Sequence, residues 1–380
     1  MMYDAIKNFA KQFEYEPQII NADALGKADK FIVVGMGGSH LAADFLKMIK
    51  PQLDLIIHRN YDLPNLPQTE LKNYLVILSS YSGNTEEVLD AFEKVRGRKL
   101  NYAVIAVGGK LLDMAKENNI PYIQLPDTGI QPRCALGFSL RAFLKLIGEN
   151  NLLNQTKFLV DSLKPLDYEE AGKKLAQRLK GYVPIIYCSE NNAPIAYNWK
   201  IKFNETGKIP AFYNVLPELN HNEMTGFSAG GGSQPKADQL LAGAESFGGD
   251  VHFEVKSLLQ NFYFILLKDR NDHPRNIKRM DILEKLYRDR NLMVESIELE
   301  EMNFNYLGEL VEQGDESKKL AVPYDSSDSD ARQRSRELDI FYKIFSSLIL
   351  ADWTAYYIAE GYGLESEQVP MVEEFKKLME

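Results

Sequence analysis

Residues 75–85 read LVILSSYSGNT, an apolar run followed by a turn that is rich in hydroxyl groups. The spacing of Val88, Phe92 and Val95 after this turn is typical of a helix. A strand that ends in such a turn and leads into a helix points backbone N–H groups, hydroxyl groups and the positive end of the helix dipole at one place. The stretch therefore favours an anion site, although Ser, Gly and Asn also occur in turns that bind nothing.

Two structural roles are expected for residues of this turn. Gly83 allows a close approach of the backbone to a bound group. Asn84 or Thr85 is expected to cap the following helix, because short polar side chains accept hydrogen bonds from the first N–H groups of a helix.

Apolar runs on either side of this stretch indicate a sheet. They lie at residues 31–34, 53–57, 75–78, 103–107 and 122–125 and alternate with helical patterns. Short, continuously apolar strands that alternate with helices are typical of a parallel sheet covered on both faces. We therefore expect an α/β fold with three layers and a ligand beyond the carboxyl ends of the strands.

The second half of the chain shows the same alternation. Apolar runs at 183–189, 262–267 and 292–297 are separated by helical patterns, and a long apolar helix is expected over 340–358. We expect a second parallel sheet flanked by helices.

The length of 380 residues exceeds that of one core of ordinary size, so two domains are expected. The polar residues after Gly148 predict domains 1–150 and 151–380, the second with inserted segments near 228–249 and 312–337. These segments are rich in small or charged residues and bury too little to offset their ordering entropy. We expect loops there, and a lid over the site is one interpretation.

Composition excludes several classes of protein. Forty-four basic and 54 acidic residues give a net charge of −10, which argues against a general binder of nucleic acid or of anionic membranes. No apolar run is long enough to cross a membrane. Cys134 and Cys188 are too few for a disulfide framework, so a cytoplasmic location is expected. The histidines form no ligand cluster, and we expect no metal.

Residues 35–39 read GMGGS and follow the first predicted strand, as in a dinucleotide site. The Gly-x-Gly-x-x-Gly pattern would require glycine at position 40, where His40 stands. No Lys-Ser or Lys-Thr pair follows that would form a nucleoside-triphosphate loop. A turn that presents backbone N–H groups and Ser39 to a sugar or phosphate fits better.

Two polar stretches lie in the second half. Asn204 and Glu205 end a helix predicted from about Ala193, and residues 217–223 read PELNHNE. Taken alone, Glu205 is typical of a solvated helix end and His221 of a turn. The spacing also fails to match the His-Glu-x-x-His zinc motif.

Five motifs, taken together and in order, resemble those of the bifunctional phosphoglucose/phosphomannose isomerase family of the sugar isomerase (SIS) domain superfamily. They are residues 35–39, residues 80–85, residues 132–136, the pair Asn204-Glu205 and residues 210–223. The resemblance implies two SIS domains and a homodimer with active sites at its interface. It also implies interconversion of fructose 6-phosphate with glucose 6-phosphate and mannose 6-phosphate, without metal or cofactor.

The resemblance further implies roles for single residues. The phosphate and nearby sugar oxygens would be held by five small or hydroxyl-bearing residues: Gly38, Ser39, Ser80, Ser82 and Thr85. Arg133 would supply positive charge near the reacting carbons, and Glu205 would be the catalytic base. His221 would open the sugar ring from the other subunit, and the active-site lysine would be Lys376.

These residue types suit the chemistry. Aldose–ketose isomerisation moves a proton between C1 and C2 through a cis-enediolate, which one carboxylate can do. The permanent charge of Arg133 would stabilise the enediolate, and His221 can move protons near neutral pH.

Two other functions remain open. A non-catalytic SIS protein could use the turn at 80–85 to sense a sugar phosphate and regulate a partner, but it would not need Glu205, His221 and Arg133 together. The second alternative is an isomerase of another phosphosugar, such as a ketopentose or an amino sugar. Turnover of defined substrates separates these functions.

Overall fold

The computed structural model describes residues 1–230, 258–299 and 329–379. The chain forms two compact units. Unit 1 comprises Met1–Tyr168 and the described residues from 329 to Ile349, and unit 2 comprises the described residues from Glu169 to 299 and from Leu350 onward. The domain boundary expected at residue 150 stays a prediction.

Unit 1 contains a parallel sheet of five strands. In chain order they are β1 (Lys30–Val34), β2 (Asp54–His58), β3 (Tyr74–Ser79), β4 (Asn101–Ala106) and β5 (Tyr122–Gln124). The spatial order is β2-β1-β3-β4-β5, and every neighbouring pair is parallel. The five strands expected from the apolar runs are confirmed.

Helices of unit 1 precede, connect and follow these strands. They are α1 (Met2–Lys7), α2 (Gly38–Ile49), α3 (Gln68–Leu71), α4 (Glu86–Gly97), α5 (Gly109–Glu117), α6 (Leu136–Leu146), α7 (Asn150–Gln155) and α8 (Leu159–Ser162). In α4 the buried residues Val88, Ala91, Phe92 and Val95 recur at helical spacing, so one face of the helix enters the core.

Apolar side chains cover both faces of this sheet. On one face, residues of β3 and β4 pack with α4 and α5 in a single apolar cluster. Phe9, Phe13 and Phe45 lie with Phe345 in a second group, with ring centroids 4.9 to 5.9 Å from Phe345. The three-layer arrangement expected for this fold is confirmed.

Unit 2 contains a parallel sheet of four strands among the described residues. They are β6 (Val183–Ser189), β7 (Phe212–Leu216), β8 (Phe262–Lys268) and β9 (Met293–Glu298), in the order β7-β6-β8-β9. The helices are α9 (Glu169–Leu179), α10 (Ala193–Glu205), α11 (Pro274–Arg288), the later part of α12 (Ser329–Tyr362) and α13 (Pro370–Met379).

Strand β7 was not expected from the sequence. Phe212 and Tyr213 are exposed at the edge of the sheet, and Asn214 interrupts the apolar run, so these five residues lack the pattern of a buried strand. Their pairing with β6 provides the backbone partners that a local pattern does not reveal.

Most of the two expected insertions lies outside the described residues. The described end of the second one, 329–337, belongs to helix α12, so the loop expected there is wrong for these nine positions. Ser335 and Leu338 are fully buried, which explains why the helix extends further than its apolar centre. Among the residues that can be described, no helix is long and apolar enough to cross a membrane.

Candidate functional site

The turns after β1 and β3 are neighbours, because these strands pair directly. Val34, the last residue of β1, lies opposite Leu78 of β3. A Cβ atom on Gly35 would lie 3.0 Å from the backbone oxygen of Ser79, so the first turn passes close to the end of β3. The carboxyl edge of the sheet thus brings residues 35–38 and 80–85 side by side, as expected.

Ser39 joins the two turns. Its hydroxyl oxygen accepts the backbone N–H of Tyr81 at 2.8 Å. In return, the hydroxyl of Ser79 donates to the backbone oxygen of Ser39 at 2.8 Å. Ser39 is 7% exposed, so these bonds are shielded from water and hold the start of α2 against the serine turn.

Ser80 organises the turn after β3. Its hydroxyl oxygen accepts the N–H groups of Gly83 at 3.1 Å and Thr85 at 3.4 Å, and it lies 2.8 Å from the hydroxyl of Thr85. Ser80 is fully buried and Thr85 is half-buried. The expected cap is absent at Thr85, because its side chain pairs with Ser80 and makes no capping hydrogen bond to α4.

Gly83 is required by a contact inside the protein. Its φ is +72°, and a Cβ atom there would lie 1.8 Å from the backbone oxygen of Gly108. The N–H of Leu111 donates to the backbone oxygen of Gly83 at 2.9 Å. The close contact that requires glycine at position 83 is thus made to the segment after β4, and the expected approach of this backbone to a bound group stays a prediction.

Ser82 is the exposed member of the turn. Its hydroxyl oxygen accepts the N–H of Asn84 at 3.3 Å. Glu86 and Glu87 occupy the first turn of α4 and already complement the helix dipole. Hydroxyl groups of the turn, more than the helix dipole, are thus the donors available to an anion, because the N–H groups of Tyr81, Gly83, Asn84 and Thr85 already donate to serine hydroxyls.

Arg133 lies at the same edge of unit 1. It belongs to a single 3₁₀ turn, Pro132–Cys134, and is 1% exposed. A Cβ atom on Gly38 would lie 2.6 Å from Pro132 Cβ and 2.9 Å from the backbone nitrogen of Arg133. The backbone of this turn therefore packs on the start of α2, and glycine at position 38 makes that contact possible.

Glu205 is the last residue of α10 in unit 2 and is half-buried. The ammonium group of Lys208 donates to the backbone oxygen of Glu205 at 2.6 Å and to that of Gln368. Asn204 donates from Nδ2 to the backbone oxygen of Ile209 at 2.9 Å. These bonds hold the carboxyl end of α10 and the chain that follows it.

His221 and Lys376 are more open than the other candidates. His221 ends a 3₁₀ turn, Glu218–His221, and is exposed. Lys376 lies on α13, is 60% exposed and forms an ion pair with Glu373 at 2.8 Å. The roles of the nine candidate residues stay predictions.

The matching edge of the sheet in unit 2 has different chemistry. Ser189 ends β6 and Asn192 follows it, and Asp269 and Asp272 follow β8; all four are buried. Ser189 donates to Asp272 at 2.6 Å, and Asn192 donates to Asp269 at 3.1 Å. Two carboxylates at this edge of the sheet disfavour the binding of a second phosphate there.

This chain is similar to one described protein family and to individual proteins of other organisms. The family described as "Bacterial phospho-glucose isomerase C-terminal SIS domain" matches residues 168–312. A bifunctional phosphoglucose/phosphomannose isomerase of Aquifex aeolicus is 29% identical over 99% of this chain and 97% of its own length. One of Caldicellulosiruptor bescii is 33% identical over 75% of this chain and 82% of its own length. A D-glucosamine-6-phosphate 4-epimerase of Sulfolobus acidocaldarius is 31% identical over 58% of this chain and 72% of its own.

A solved structure shares the fold. The tagatose-6-phosphate ketose/aldose isomerase of Escherichia coli aligns over 96% of this chain and 88% of its own, with a TM-score of 0.52 and 15% identity. At that identity the likeness concerns the fold alone. The sequence relatives carry the assignment, since two with the same name match most of the chain. This chain belongs to the bifunctional phosphoglucose/phosphomannose isomerase family.

Proposed function

We propose that this chain interconverts fructose 6-phosphate with glucose 6-phosphate and mannose 6-phosphate through a cis-enediolate. The observation that carries the proposal is the edge of unit 1, where the serine turn, the start of α2 and the turn of Arg133 come together. Membership of the family supports the same reaction class.

The phosphate would bind to the two adjoining turns of unit 1. The bond between the Ser80 and Thr85 hydroxyls uses one proton, which leaves the other hydroxyl proton for a phosphate oxygen. Exposed Ser82 can donate its hydroxyl from the rim, and Gly38 and Ser39 would line the neighbouring turn. Because the phosphate is bound away from C1 and C2, its binding positions these two carbons for reaction.

Glu205 would act as the base. It would remove the proton from C2 of the open-chain aldose, and the C–H electron pair would form the C1–C2 double bond while negative charge moves to O1. A proton passes from O2 to O1, and Glu205 returns its proton to C1 to give the ketose. Arg133 would stabilise the charge on the enediolate oxygens.

His221 would open the ring before this step by donating a proton to the ring oxygen and receiving one from the anomeric hydroxyl. Its exposure within one chain suits a residue that serves a neighbouring subunit, so the proposal includes a homodimer with active sites at the interface. Lys376 would assist the proton transfers, and its exposed position on α13 allows the same interpretation.

A second candidate is action on an amino-sugar phosphate. The relative of Sulfolobus acidocaldarius is named for D-glucosamine 6-phosphate and for epimerisation at C4. The two turns of unit 1 would bind the phosphate in the same way, whereas the reaction would take place at a different carbon of the sugar.

The decisive experiment is a coupled assay from fructose 6-phosphate with separate detection of glucose and mannose 6-phosphates, and a parallel assay with glucosamine 6-phosphate. We expect both hexose products, and a loss of about 10²-fold or more in kcat for Glu205→Gln. Glu117→Gln is the matched control, because Glu117 also ends a helix but lies in α5 and is exposed.

The possible outcomes test the role of Glu205 and distinguish the candidate functions. Near-normal turnover in Glu205→Gln would contradict the role of base. Binding of fructose 6-phosphate without turnover by the wild type would indicate a sensor, and conversion of glucosamine 6-phosphate alone would favour the amino-sugar reaction.

A further inference from the structure

His221 lies between two residues that are held in place, Leu219 before it and Glu223 after it. Leu219 is fully buried and belongs to an apolar cluster with Leu216 and Phe264. Two positions after His221, the side chain of Glu223 enters a polar contact with the sheet. His221 itself is exposed. The turn is therefore held on both sides of the residue that would reach the substrate.

Both carboxylate oxygens of Glu223 are bound by residues on strands. The hydroxyl of Tyr187 on β6 donates to Oε1 at 2.6 Å, and Nδ2 of Asn214 on β7 donates to Oε2. Bonds to an ionised acceptor are stronger than bonds between neutral groups. The carboxylate thereby ties the turn to two adjacent strands.

The donor Tyr187 cannot move easily. It is fully buried, and its ring centroid lies 5.6 Å from that of Phe264 and 6.5 Å from that of Tyr287. Burial, together with the nearby Tyr287 and Glu223, raises the pKa of Tyr187 well above its ordinary value, so its hydroxyl keeps its proton.

Local bonds close the turn around His221. The N–H of Glu223 donates to Asn222 Oδ1 at 2.6 Å, and Nδ2 of Asn222 donates to Glu218 Oε1 at 2.7 Å. Two residues of chain span at most about 7 Å, so a displacement of Glu223 is passed on to His221.

We propose that Glu223, bound by Tyr187 and Asn214, is a positioning residue that holds His221 for ring opening. This inference rests on the proposed function. Proton transfer requires hydrogen-bond reach, and a misplacement of about 1 Å can cost about 10²-fold. Loss of the Tyr187 hydroxyl removes one of two bonds, so an effect of about tenfold is expected.

Exchange between the α and β anomers of glucose 6-phosphate measures ring opening separately from isomerisation. In the Glu205→Gln variant we expect the proton transfer between C1 and C2 to be slowed about 10²-fold or more, whereas ring opening and closure continue. Magnetisation-transfer NMR would compare this variant with the double variants Glu205→Gln/Tyr187→Phe and Glu205→Gln/Tyr263→Phe.

Tyr263→Phe is a matched control. Tyr263 is buried on the neighbouring strand β8 and donates its hydroxyl to Glu295 at 2.7 Å, so it loses the same kind of bond away from His221. We expect anomer exchange about tenfold slower with Tyr187→Phe and within about twofold with Tyr263→Phe. Binding of fructose 6-phosphate, measured by calorimetry, should be unchanged in both.

The outcomes separate the two proposals. Equal exchange with and without Tyr187→Phe, or equal loss in both tyrosine variants, would overturn the positioning role alone. Exchange in the wild type that is no faster than the spontaneous exchange without protein, together with no isomerisation, would overturn the proposed function and the positioning role with it. If Tyr187→Phe lowers the melting temperature strongly, Glu223→Gln repeats the test, because it removes the charge and retains the shape of the side chain.

Discussion

The hydroxyl of Ser39 accepts the backbone N–H of Tyr81 at 2.8 Å, and this bond joins helix α2 to the serine turn across 42 positions of sequence. Ser39→Ala would leave the N–H of Tyr81 without this partner at a shielded site, which costs about 1 to 3 kcal/mol. We expect the KM for fructose 6-phosphate to rise about 5- to 30-fold, because the two turns that would bind the phosphate would separate. Steady-state kinetics would measure the change.

Ser139→Ala is the control for this substitution, since Ser139 is another buried helical serine of unit 1. A similar KM in the wild type and Ser39→Ala would contradict the role of the bond.

Gly83→Ala tests the backbone of the turn. The new Cβ atom would lie 1.8 Å from the oxygen of Gly108, at a φ of +72°, so the turn must move. We expect lower stability by about 2 kcal/mol or more and weaker binding of fructose 6-phosphate. Urea unfolding and calorimetry would measure the two effects. Gly97→Ala should change neither, because open space surrounds a Cβ atom there.

Lys202 and Asp352 form a buried ion pair in unit 2. Their N–O distance is 2.6 Å, and their side chains are 1% and 2% exposed. Lys202→Met would leave the charge of Asp352 without this partner, and we expect a loss of about 3 to 5 kcal/mol in the free energy of unfolding. Urea unfolding would measure it.

The double variant Lys202→Met/Asp352→Leu should recover much of that loss, because it removes both buried charges. If the two single losses simply add in the double variant, the pair does not act as a unit.

The pKa of Glu284 predicts how the stability of the protein depends on pH. Burial opposes its ionisation, but hydrogen bonds from Lys268, Ser296 and Arg288 outweigh burial and lower its pKa from 4.5 to about 2. A lowered pKa means that the unfolded chain binds the proton more tightly. The contribution of Glu284 to stability is therefore complete above pH 4.5 and is lost as the pH falls toward 2.

We expect this contribution to be of the order of 1 to 3 kcal/mol, because one pKa unit corresponds to about 1.4 kcal/mol. Urea unfolding of the wild type and Glu284→Gln between pH 7 and pH 3 would measure it. The two curves should converge at low pH. Curves that stay parallel over the whole range would contradict the assignment, and Glu117→Gln provides the exposed-carboxylate control.

The strands of unit 1 could be predicted because each is a short, continuously apolar run. All six positions of β3 are buried, so the run and the strand coincide. Strand β7 could not be predicted in this way, since only Leu216 of its residues is buried and its pairing with β6 is not local. Asn214 breaks its apolar run, so β7 lacks the continuous apolar pattern by which the strands of unit 1 were identified.

The sequence by itself determined which groups lie at the carboxyl edge of the sheet in unit 1. Serine, threonine and glycine residues follow β1 and β3, and the carboxyl ends of parallel strands meet at one edge. Only the tertiary structure decided the partners: Gly108 for Gly83, Ser80 for the hydroxyl of Thr85, and Tyr187 for Glu223 across 36 positions. The reason is physical. Residue type and spacing set local backbone preference and burial, whereas a hydrogen bond between distant residues exists only where packing brings donor and acceptor together.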